Sequence, residues 1–241
     1  MSKPYKTYFN WSTGKDSAFA LYKLQQDPKY SIELLLTSVN SHFNRVSMHG
    51  LRRSLLEAQA SSLEIVLKTI ELPESPTMEE YKETMTKTVK NLIAKNYTHA
   101  VFGDIFLEDL KNYRDQQLQP LGIETVYPLW QADTSKLIHD FIDLGFKAVV
   151  VSANSTYLDE DFVGQTLTHE IIDNLPKNVD PCGENGEFHT FCYDGPIFKH
   201  PISFSIGEKI YREYPKPKTK DDIHVNTNDK IGYWYCDLLP A

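Results

Sequence analysis

Residues 5–151 alternate between short apolar runs and longer segments with helical periodicity. The apolar runs are YKTYF, IELLLTSV, IVLKTIEL, HAVFGDI, IETVYPL and KAVVV. Between the second and third runs, Leu51, Leu55 and Ala58 recur at the spacing of one helix face. The alternation predicts an α/β fold with a doubly wound, mostly parallel sheet and helices on both faces. Ligands bind such sheets at the carboxyl ends of the strands, where the strand order reverses.

The pattern changes after about residue 155. One helix is predicted over residues 162–174, followed by CGENGEFHTFCYDGPIF, ISFSIGEKIYREY and KIGYWYCDL, which have the character of antiparallel strands with glycine-rich turns. The change predicts a smaller C-terminal α+β lobe. We assign residues 1–125 to a nucleotide-binding domain and residues 126–241 to a substrate-binding lobe, with the boundary between residues 124 and 155.

Composition narrows the class of protein. The chain has 41% hydrophobic and 24% charged residues, and its formal net charge is −8. This balance disfavours a broad nucleic-acid-binding face. No apolar run approaches the length of a membrane span and no signal-peptide pattern opens the chain, so we expect a cytoplasmic protein that does not enter membranes. Three cysteines are too few and too irregularly spaced for a disulfide framework.

The sequence NWSTGKDS joins the first predicted strand to the first helix. Unpaired N–H groups and the helix dipole attract anions at such a helix start. Gly14 permits close approach to a phosphate, Lys15 can neutralise its charge, and Asp16 can hold Mg²⁺ or cap the helix. The segment therefore indicates either a phosphate site or a capped helix start. Neither the Walker nor the dinucleotide-binding glycine pattern is present.

Further polar residues lie at positions where sites collect. Gly103 and Asp104 follow the fourth strand, and Asp104 is either a site residue or a helix N-cap. Tyr113 and Arg114 follow on the next helix, where the arginine binds an anionic group or forms a surface ion pair. His49 precedes a helix near the same edge and has a structural alternative. The GENGEFHT stretch is denser in polar groups than a turn needs, and its candidates for substrate recognition are Glu184, Asn185, Glu187, His189 and Thr190.

STGKDS resembles the S-G-G-x-D-S loop of the N-type ATP pyrophosphatases, the PP-loop superfamily, with Thr13 in place of the usual glycine. Three further stretches resemble the diphthine–ammonia ligase family: residues 103–130, the segment HGLRRSLLEAQASSL, and CGENGEFHTFCYDGPIF. The resemblance covers residues from about 8 to about 205 in the same order. It implies a HUP-like, Rossmann-like variant of the doubly wound fold.

The resemblance also implies an activity: ATP adenylates a carboxylate, pyrophosphate leaves, and ammonia attacks the acyl-adenylate to form an amide. The implied cofactors are ATP and Mg²⁺, with Asp16 as the metal-contacting residue. The nucleotide would be held by Ser12, Thr13, Gly14, Lys15, Asp16, Ser17, His49 and Gly103. Catalysis would rest on Lys15, Asp16, Asp104 and Glu187, and the acceptor would meet Tyr113, Arg114, Glu184, Asn185, Glu187, His189 and Thr190.

In this family the acceptor is diphthine on elongation factor 2, and the chain would act as a monomer or a homodimer. Two other functions stay open at this stage. A PP-loop RNA-modifying enzyme is disfavoured by the acidic chain and the absence of a paired-cysteine motif. A non-enzymatic adenine-nucleotide-binding protein is disfavoured by the polar GENGEFHT stretch, which a bare sensor does not need.

Overall fold

The computed structural model describes residues 3–47, 50–215 and 230–241. The first sheet contains strands β1 (Tyr5–Asn10), β2 (Tyr30–Asn40), β3 (Arg45–Val46), β4 (Val66–Leu72), β5 (His99–Val101) and β6 (Glu124–Val126). Five of them are parallel, in the order β4-β2-β1-β5-β6, while β3 pairs antiparallel with the end of β2. The order reverses between β1 and β5, which confirms the predicted doubly wound sheet and puts the ligand-binding crevice beside these two strands.

The helices are α1 (Lys15–Gln25), α2 (Arg53–Leu63), α3 (Met78–Ile93), α4 (Glu108–Leu118), α5 (Thr134–Asp143) and α6 (His169–Asp173). Helix α3 lies between the third and fourth apolar runs, where the alternation predicts a helix. It begins with a capping box, in which Thr77 and Glu80 satisfy each other's backbone N–H groups. In the described ranges no helix is long and apolar enough to cross a bilayer.

Alternating side chains of the first sheet enter two different cores, as the period of a strand requires. Phe9 and Leu35 pack on the side covered by α1 and α2. Their neighbours Tyr8 and Leu34 pack on the opposite side, under α3 and α4. Both faces of the sheet are therefore covered by helices, and a ligand can approach the sheet at the ends of its strands.

The second sheet is antiparallel, with the order β8-β7-β10-β9. Its strands are β7 (Lys147–Asn154), β8 (Phe188–Asp194), β9 (Phe204–Pro215) and β10 (Lys230–Pro240). The sixth apolar run, KAVVV, lies in β7, so its expected place in the parallel sheet is wrong. Every residue of β7 after Lys147 is buried. A strand buried on both faces has a continuous apolar sequence, which resembles that of a parallel strand.

The helix predicted over residues 162–174 is also wrong for most of its length. The segment between a short 3₁₀ turn and α6 runs extended beside β7, where Val150 N–H donates to the Gln165 carbonyl (2.9 Å) and Leu167 N–H donates to the Ala148 carbonyl (2.9 Å). Gly164 has a φ of 87°. The segment is extended because its backbone forms hydrogen bonds with β7, and within the predicted range α6 is limited to His169–Asp173.

The second sheet packs on the α1 side of the first. Phe191 of β8 and Val149 of β7 belong to the same buried core as Phe19 of α1 and Phe9 of β1. This packing brings the start of β8 against the β1–α1 junction. The domain division at residue 125 stays a prediction.

Candidate active site

The loop of residues 12–17, the phosphate loop, links β1 to α1 at the point where the strand order reverses. The N-cap of α1 is Gly14, which has no side chain to cap the helix. Instead, Thr190 of β8 accepts a hydrogen bond from the Lys15 N–H through its hydroxyl (3.1 Å). Ser12 and Ser17 close the loop through their hydroxyls, which are 2.7 Å apart. The helix start is thus not a simple side-chain cap, and residues of its first turn line the cavity described below.

Thr13 adopts a left-handed backbone conformation, with a φ of 73°. A β-branched residue is strained there, whereas glycine is not, which explains why the S-G-G-x-D-S pattern has glycine at this position. The Thr13 side chain is fully buried, and its hydroxyl has no partner among the described residues. Its carbonyl accepts hydrogen bonds from the Cys192 N–H (3.0 Å) and the Gln59 Nε2 (2.9 Å). These tertiary contacts therefore hold Thr13 in a left-handed conformation that its own side chain disfavours.

Lys15 is buried, and its ammonium donates to both carboxylate oxygens of Asp16 (2.8 and 2.9 Å) and to the Cys182 carbonyl. Burial works to lower the pKa of Lys15, but the Asp16 carboxylate and the other acidic groups nearby raise it above its ordinary value. The ammonium is therefore charged at neutral pH. Its position places a cation where the phosphate loop meets the 182–190 turn.

Two glycines allow the backbone segments around the loop to touch. A Cβ atom on Gly103 would lie 3.0 Å from the Ser17 nitrogen and 3.1 Å from the Asp16 carbonyl carbon. A Cβ atom on Gly14 would lie 3.2 Å from the Thr190 carbonyl oxygen. Both approaches involve backbone, so a larger residue at either position would displace the segment after β5 or β8 from the start of α1 by a few tenths of an ångström.

Asp104 and Arg114 form an ion pair at the far wall of the site. The Arg114 guanidinium also stacks on the Phe102 ring, 4.3 Å from its centroid. Leu107, not Asp104, is the N-cap of α4, so the N-cap alternative for Asp104 is excluded. The ion-pair alternative for Arg114 holds, although the pair lines the cavity and is mostly shielded from solvent. Tyr113 lines the same wall and is more exposed.

Residues 182–190, the acidic turn, form the wall opposite. Glu184 lines the cavity, and its carboxylate accepts hydrogen bonds from Ile105 N–H (2.7 Å) and Phe106 N–H (3.4 Å). Burial raises the pKa of Glu184 from 4.5 to about 7. Burial, together with the charge of Lys15, lowers the pKa of His189 to about 4, so this imidazole is neutral at pH 7. The turn thus offers titratable groups whose protonation differs from that of exposed residues.

Glu187 and Asn185 do not line the cavity, contrary to expectation. Glu187 is 2% exposed and turns inward, where one oxygen accepts from Asp180 N–H (3.0 Å) and Asn185 Nδ2 (3.1 Å). The other oxygen is buried with no partner within the described ranges. Asp180 in turn accepts from the N–H groups of Cys182 and Glu184. These hydrogen bonds hold the backbone of the acidic turn on the side away from the cavity. A catalytic role for Glu187 stays a prediction.

A cavity of about 470 Å³ joins these walls, a size typical of small-molecule sites. At its polar end are Ser12, Gly14, Lys15, Asp16, Gly103, Asp104, Glu184, His189 and Thr190. An apolar arm extends between α3 and α4 over Leu36, Ile70, Leu72, Met85, Val89 and Leu118. The hydroxyl of Tyr8 also lies along this arm, buried and without a partner in the part of the chain that the structure describes. The cavity is therefore lined by both walls, but not by Asn185 or Glu187.

His49 lies outside the described residues, so its predicted place at the nucleotide stays a prediction. Two residues that support the site were missed in the sequence. Gln59 is fully buried on α2 and contacts the phosphate loop, and Asp180 fixes the acidic turn. Gln59 had a detectable signal, because it lies four residues from Leu55 and from Leu63 on the apolar face of its helix.

A doubly wound sheet with a phosphate loop at its reversal point and a buried lysine at the start of α1 defines a nucleotide-binding α/β protein of the PP-loop class. Comparison with known families gives the particular family. The model of the diphthamide synthase N-terminal domain matches residues 5–125, and that of the diphthamide synthase C-terminal domain matches residues 133–218. The chain belongs to the diphthamide synthase family.

Several proteins named diphthine–ammonia ligase are similar to this chain. The protein of Danio rerio is 26% identical over 203 residues, which are 71% of this chain and 77% of that protein. The protein of Homo sapiens is 26% identical over 168 residues, covering 64% of this chain and 63% of the relative. That of Schizosaccharomyces pombe is 33% identical over 95 residues, 37% of this chain and 16% of that protein.

These matches confirm the family predicted from STGKDS and from the three further stretches. They also confirm the predicted class of function, an ATP-dependent ligase that forms an amide. ATP and ammonia are the small-molecule substrates of that class.

Proposed function

We propose that this ligase adenylates the carboxylate of diphthine on elongation factor 2 and replaces AMP with ammonia. The observation that carries the proposal is the cavity that the phosphate loop and the acidic turn both line. An acyl-adenylate needs a phosphate site and an acceptor site that share one reaction point. Because the walls of this cavity come from elements of both sheets, the arrangement supports one reaction point shared by the two sites.

The phosphate side rests on the start of α1. The N–H groups of its first turn and the Lys15 ammonium offset the negative charge that builds up on departing pyrophosphate. Lys15 sits in a fixed, nearly dry position held by Asp16 and the Cys182 carbonyl, where a charge acts more strongly than in water. In this proposal, these groups stabilise the charge that develops as the bond between the α- and β-phosphates breaks.

Asp16 suits a magnesium ion that arrives with ATP. Mg²⁺ is usually held by one or two carboxylates together with substrate phosphates. Asp16 belongs to the phosphate loop and lines the cavity, which fits such a contact. In the described ranges, no cluster of three or more metal-ligating side chains occurs, so the remaining ligands would be phosphate oxygens and water. When bound, the ion would neutralise phosphate charge.

The acceptor side rests on the acidic turn and on α4. Amide formation from an acyl-adenylate and ammonia breaks the bond between the acyl carbon and the phosphate oxygen, forms a carbon–nitrogen bond and releases one proton. Glu184 faces the cavity and titrates near neutral pH, so it is placed to take that proton. The exposed ring of Tyr113 suits the trimethylammonium group of diphthine. Arg114 fixes Asp104 on the same wall.

His189 and Thr190 complete the acceptor side. The neutral imidazole of His189 can donate or accept a hydrogen bond without adding charge. Thr190 already binds the Lys15 N–H and so connects acceptor and phosphate sides. Every residue assigned here comes from one copy of the chain, so the proposal does not need a homodimer. An elongation-factor acceptor implies action in the cytoplasm.

The test is a reaction with ATP, Mg²⁺, ammonium and elongation factor 2 that carries diphthine. Chromatography should show AMP and pyrophosphate, and mass spectrometry should show the acceptor carboxylate converted to an amide. Elongation factor without the diphthine modification is the matched control and should give neither product. Formation of ADP and phosphate, or equal AMP formation with the unmodified factor, would overturn the proposal.

A further inference from the structure

Gln59 makes three side-chain hydrogen bonds in the middle of the core although it is fully buried on α2. Its Oε1 accepts from the Trp11 indole Nε1 at 2.9 Å. Its Nε2 donates to the Thr13 carbonyl at 2.9 Å and to the Cys192 carbonyl at 2.5 Å. An indole N–H only donates and a carbonyl only accepts, so these partners admit a single orientation of the amide.

The contacts join three elements around the phosphate loop. Gln59 reaches from α2 to the loop and to β8, while Cys192 N–H also donates to the Thr13 carbonyl (3.0 Å). Trp11, immediately before the loop, is held on its other side because the Thr37 hydroxyl donates to its carbonyl (2.8 Å). The Thr13 carbonyl thus has two donors, and the residue before the loop is fixed by β2.

We propose that Gln59 is a positioning residue that aims the Gly14 N–H of the phosphate loop at the bound phosphates of ATP. The carbonyl of Thr13 and the N–H of Gly14 belong to one trans peptide, so they point in opposite directions. By holding the carbonyl toward α2 and β8, Gln59 turns the N–H toward the opposite side, where Gly14 lines the cavity. The inference rests on the proposed function, since it assumes that ATP occupies this loop.

The backbone of Thr13 shows why such a support is needed. A left-handed φ at a β-branched residue persists only where the surroundings impose it. Without the Gln59 donor, the Cys192 N–H is the donor that remains on the Thr13 carbonyl, so the Thr13–Gly14 peptide is held less firmly in this orientation. Among the described residues, the Gly14 N–H donates one long hydrogen bond, to the Ser12 hydroxyl at 3.4 Å, which a bound phosphate could replace.

The test compares two substitutions with a matched control on the same helix. Gln59→Met keeps the volume and removes all three hydrogen bonds, whereas Gln59→Glu replaces the donor with a carboxylate facing two carbonyls. Ser62→Ala is the control, because Ser62 is equally buried on α2 but bonds to the His200 backbone, away from the loop. Calorimetry measures ATP and adenosine binding, and amide hydrogen exchange reports on residues 12–17.

We expect ATP to bind at least about tenfold more weakly to Gln59→Met, as one lost hydrogen bond to a fixed group predicts. Adenosine binding should stay within twofold, roughly the scatter of surface substitutions. Exchange at Gly14 should accelerate. In Gln59→Glu, protonation restores one donor, so ATP binding should recover relative to wild type as the pH falls. Ser62→Ala should bind ATP like wild type.

Wild-type ATP affinity in both Gln59 variants would overturn the inference while leaving the proposed function intact. Equal losses for ATP and adenosine would also overturn it, because they indicate a general packing defect. If the wild-type protein does not bind ATP, the proposed function is wrong whatever Gln59 does. In that case amide exchange still tests Gln59, because unchanged exchange at Gly14 in Gln59→Met would contradict its positioning role. Should Gln59→Met not fold, Gln59→Glu across pH decides the question.

Discussion

The phosphate loop and the acidic turn are both rich in polar residues, but the fold uses them differently. Most of the phosphate loop faces the cavity, and its one inward residue is Thr13. The acidic turn divides: Glu184 faces the cavity, while Glu187 turns into the protein and supports the backbone. The loop joins a strand end to a helix start, so the sequence predicts which groups it presents, although tertiary contacts hold the Thr13 backbone. The turn is fixed by Asp180 and the strand behind it, which only the tertiary structure reveals.

The largest effect is expected from Lys15 in the phosphate loop. Lys15→Met keeps most of the side-chain volume but removes the buried charge, so turnover should fall about a hundredfold or more, as for other preorganised charge-stabilising groups. Steady-state kinetics with ATP and the acceptor measure this. Lys6→Met is the control, because Lys6 pairs with Glu33 at the surface and should keep full activity. Unchanged turnover in Lys15→Met would remove the phosphate loop from the mechanism.

The next largest effect concerns Glu187 in the acidic turn. Glu187→Ala leaves the Asp180 N–H without its buried acceptor, which should lower the free energy of unfolding by about 1–3 kcal/mol in urea titrations. Glu187→Gln keeps an acceptor and should recover much of that loss. If Glu187→Gln instead abolishes turnover at wild-type stability, the carboxylate acts at the reaction and the contrast with Glu184 is broken.

Glu184 should make the free energy of unfolding depend on pH. Its pKa is raised from 4.5 to about 7 by burial, so its contribution to the free energy of unfolding is largest below pH 4.5 and declines as the pH rises toward 7. Glu184→Gln removes this titration, and its stability relative to ligand-free wild type should rise over that interval. The exposed Glu79→Gln is the control. Parallel stability profiles for Glu184→Gln and wild type would contradict the burial of this carboxyl.

Thr13 should give the smallest effect. Thr13→Gly relieves the left-handed strain and removes a buried hydroxyl without a described partner, so the free energy of unfolding should increase by about 1 kcal/mol. Urea titration measures the change, and Asn96→Gly is the control, since asparagine tolerates its left-handed φ of 64°. A loss of stability in Thr13→Gly would show that side-chain packing outweighs backbone strain at the loop.

The sequence was a good guide where structure is set locally. The doubly wound sheet followed from hydrophobic periodicity, and the placement of Lys15 and Asp16 followed from a strand-to-helix turn. It was a poor guide where distant backbone decides. The run KAVVV is as apolar as a buried parallel strand, so its composition does not reveal which sheet it joins. Residues 163–167 are extended and not helical because the backbone of β7 offers them hydrogen bonds. The inward turn of Glu187 depends on Asp180 N–H, which no spacing reveals.

The central claim is that the phosphate loop and the acidic turn form one site at which a carboxylate meets the α-phosphate of ATP. The most direct test uses an acceptor whose carboxylate carries a heavy oxygen isotope, with mass spectrometry of the nucleotide product. Adenylation forms a bond from that oxygen to the α-phosphate, and ammonia then breaks the acyl–oxygen bond, so AMP should carry the label. Label found in inorganic phosphate, or AMP without label while the amide forms, would contradict the account.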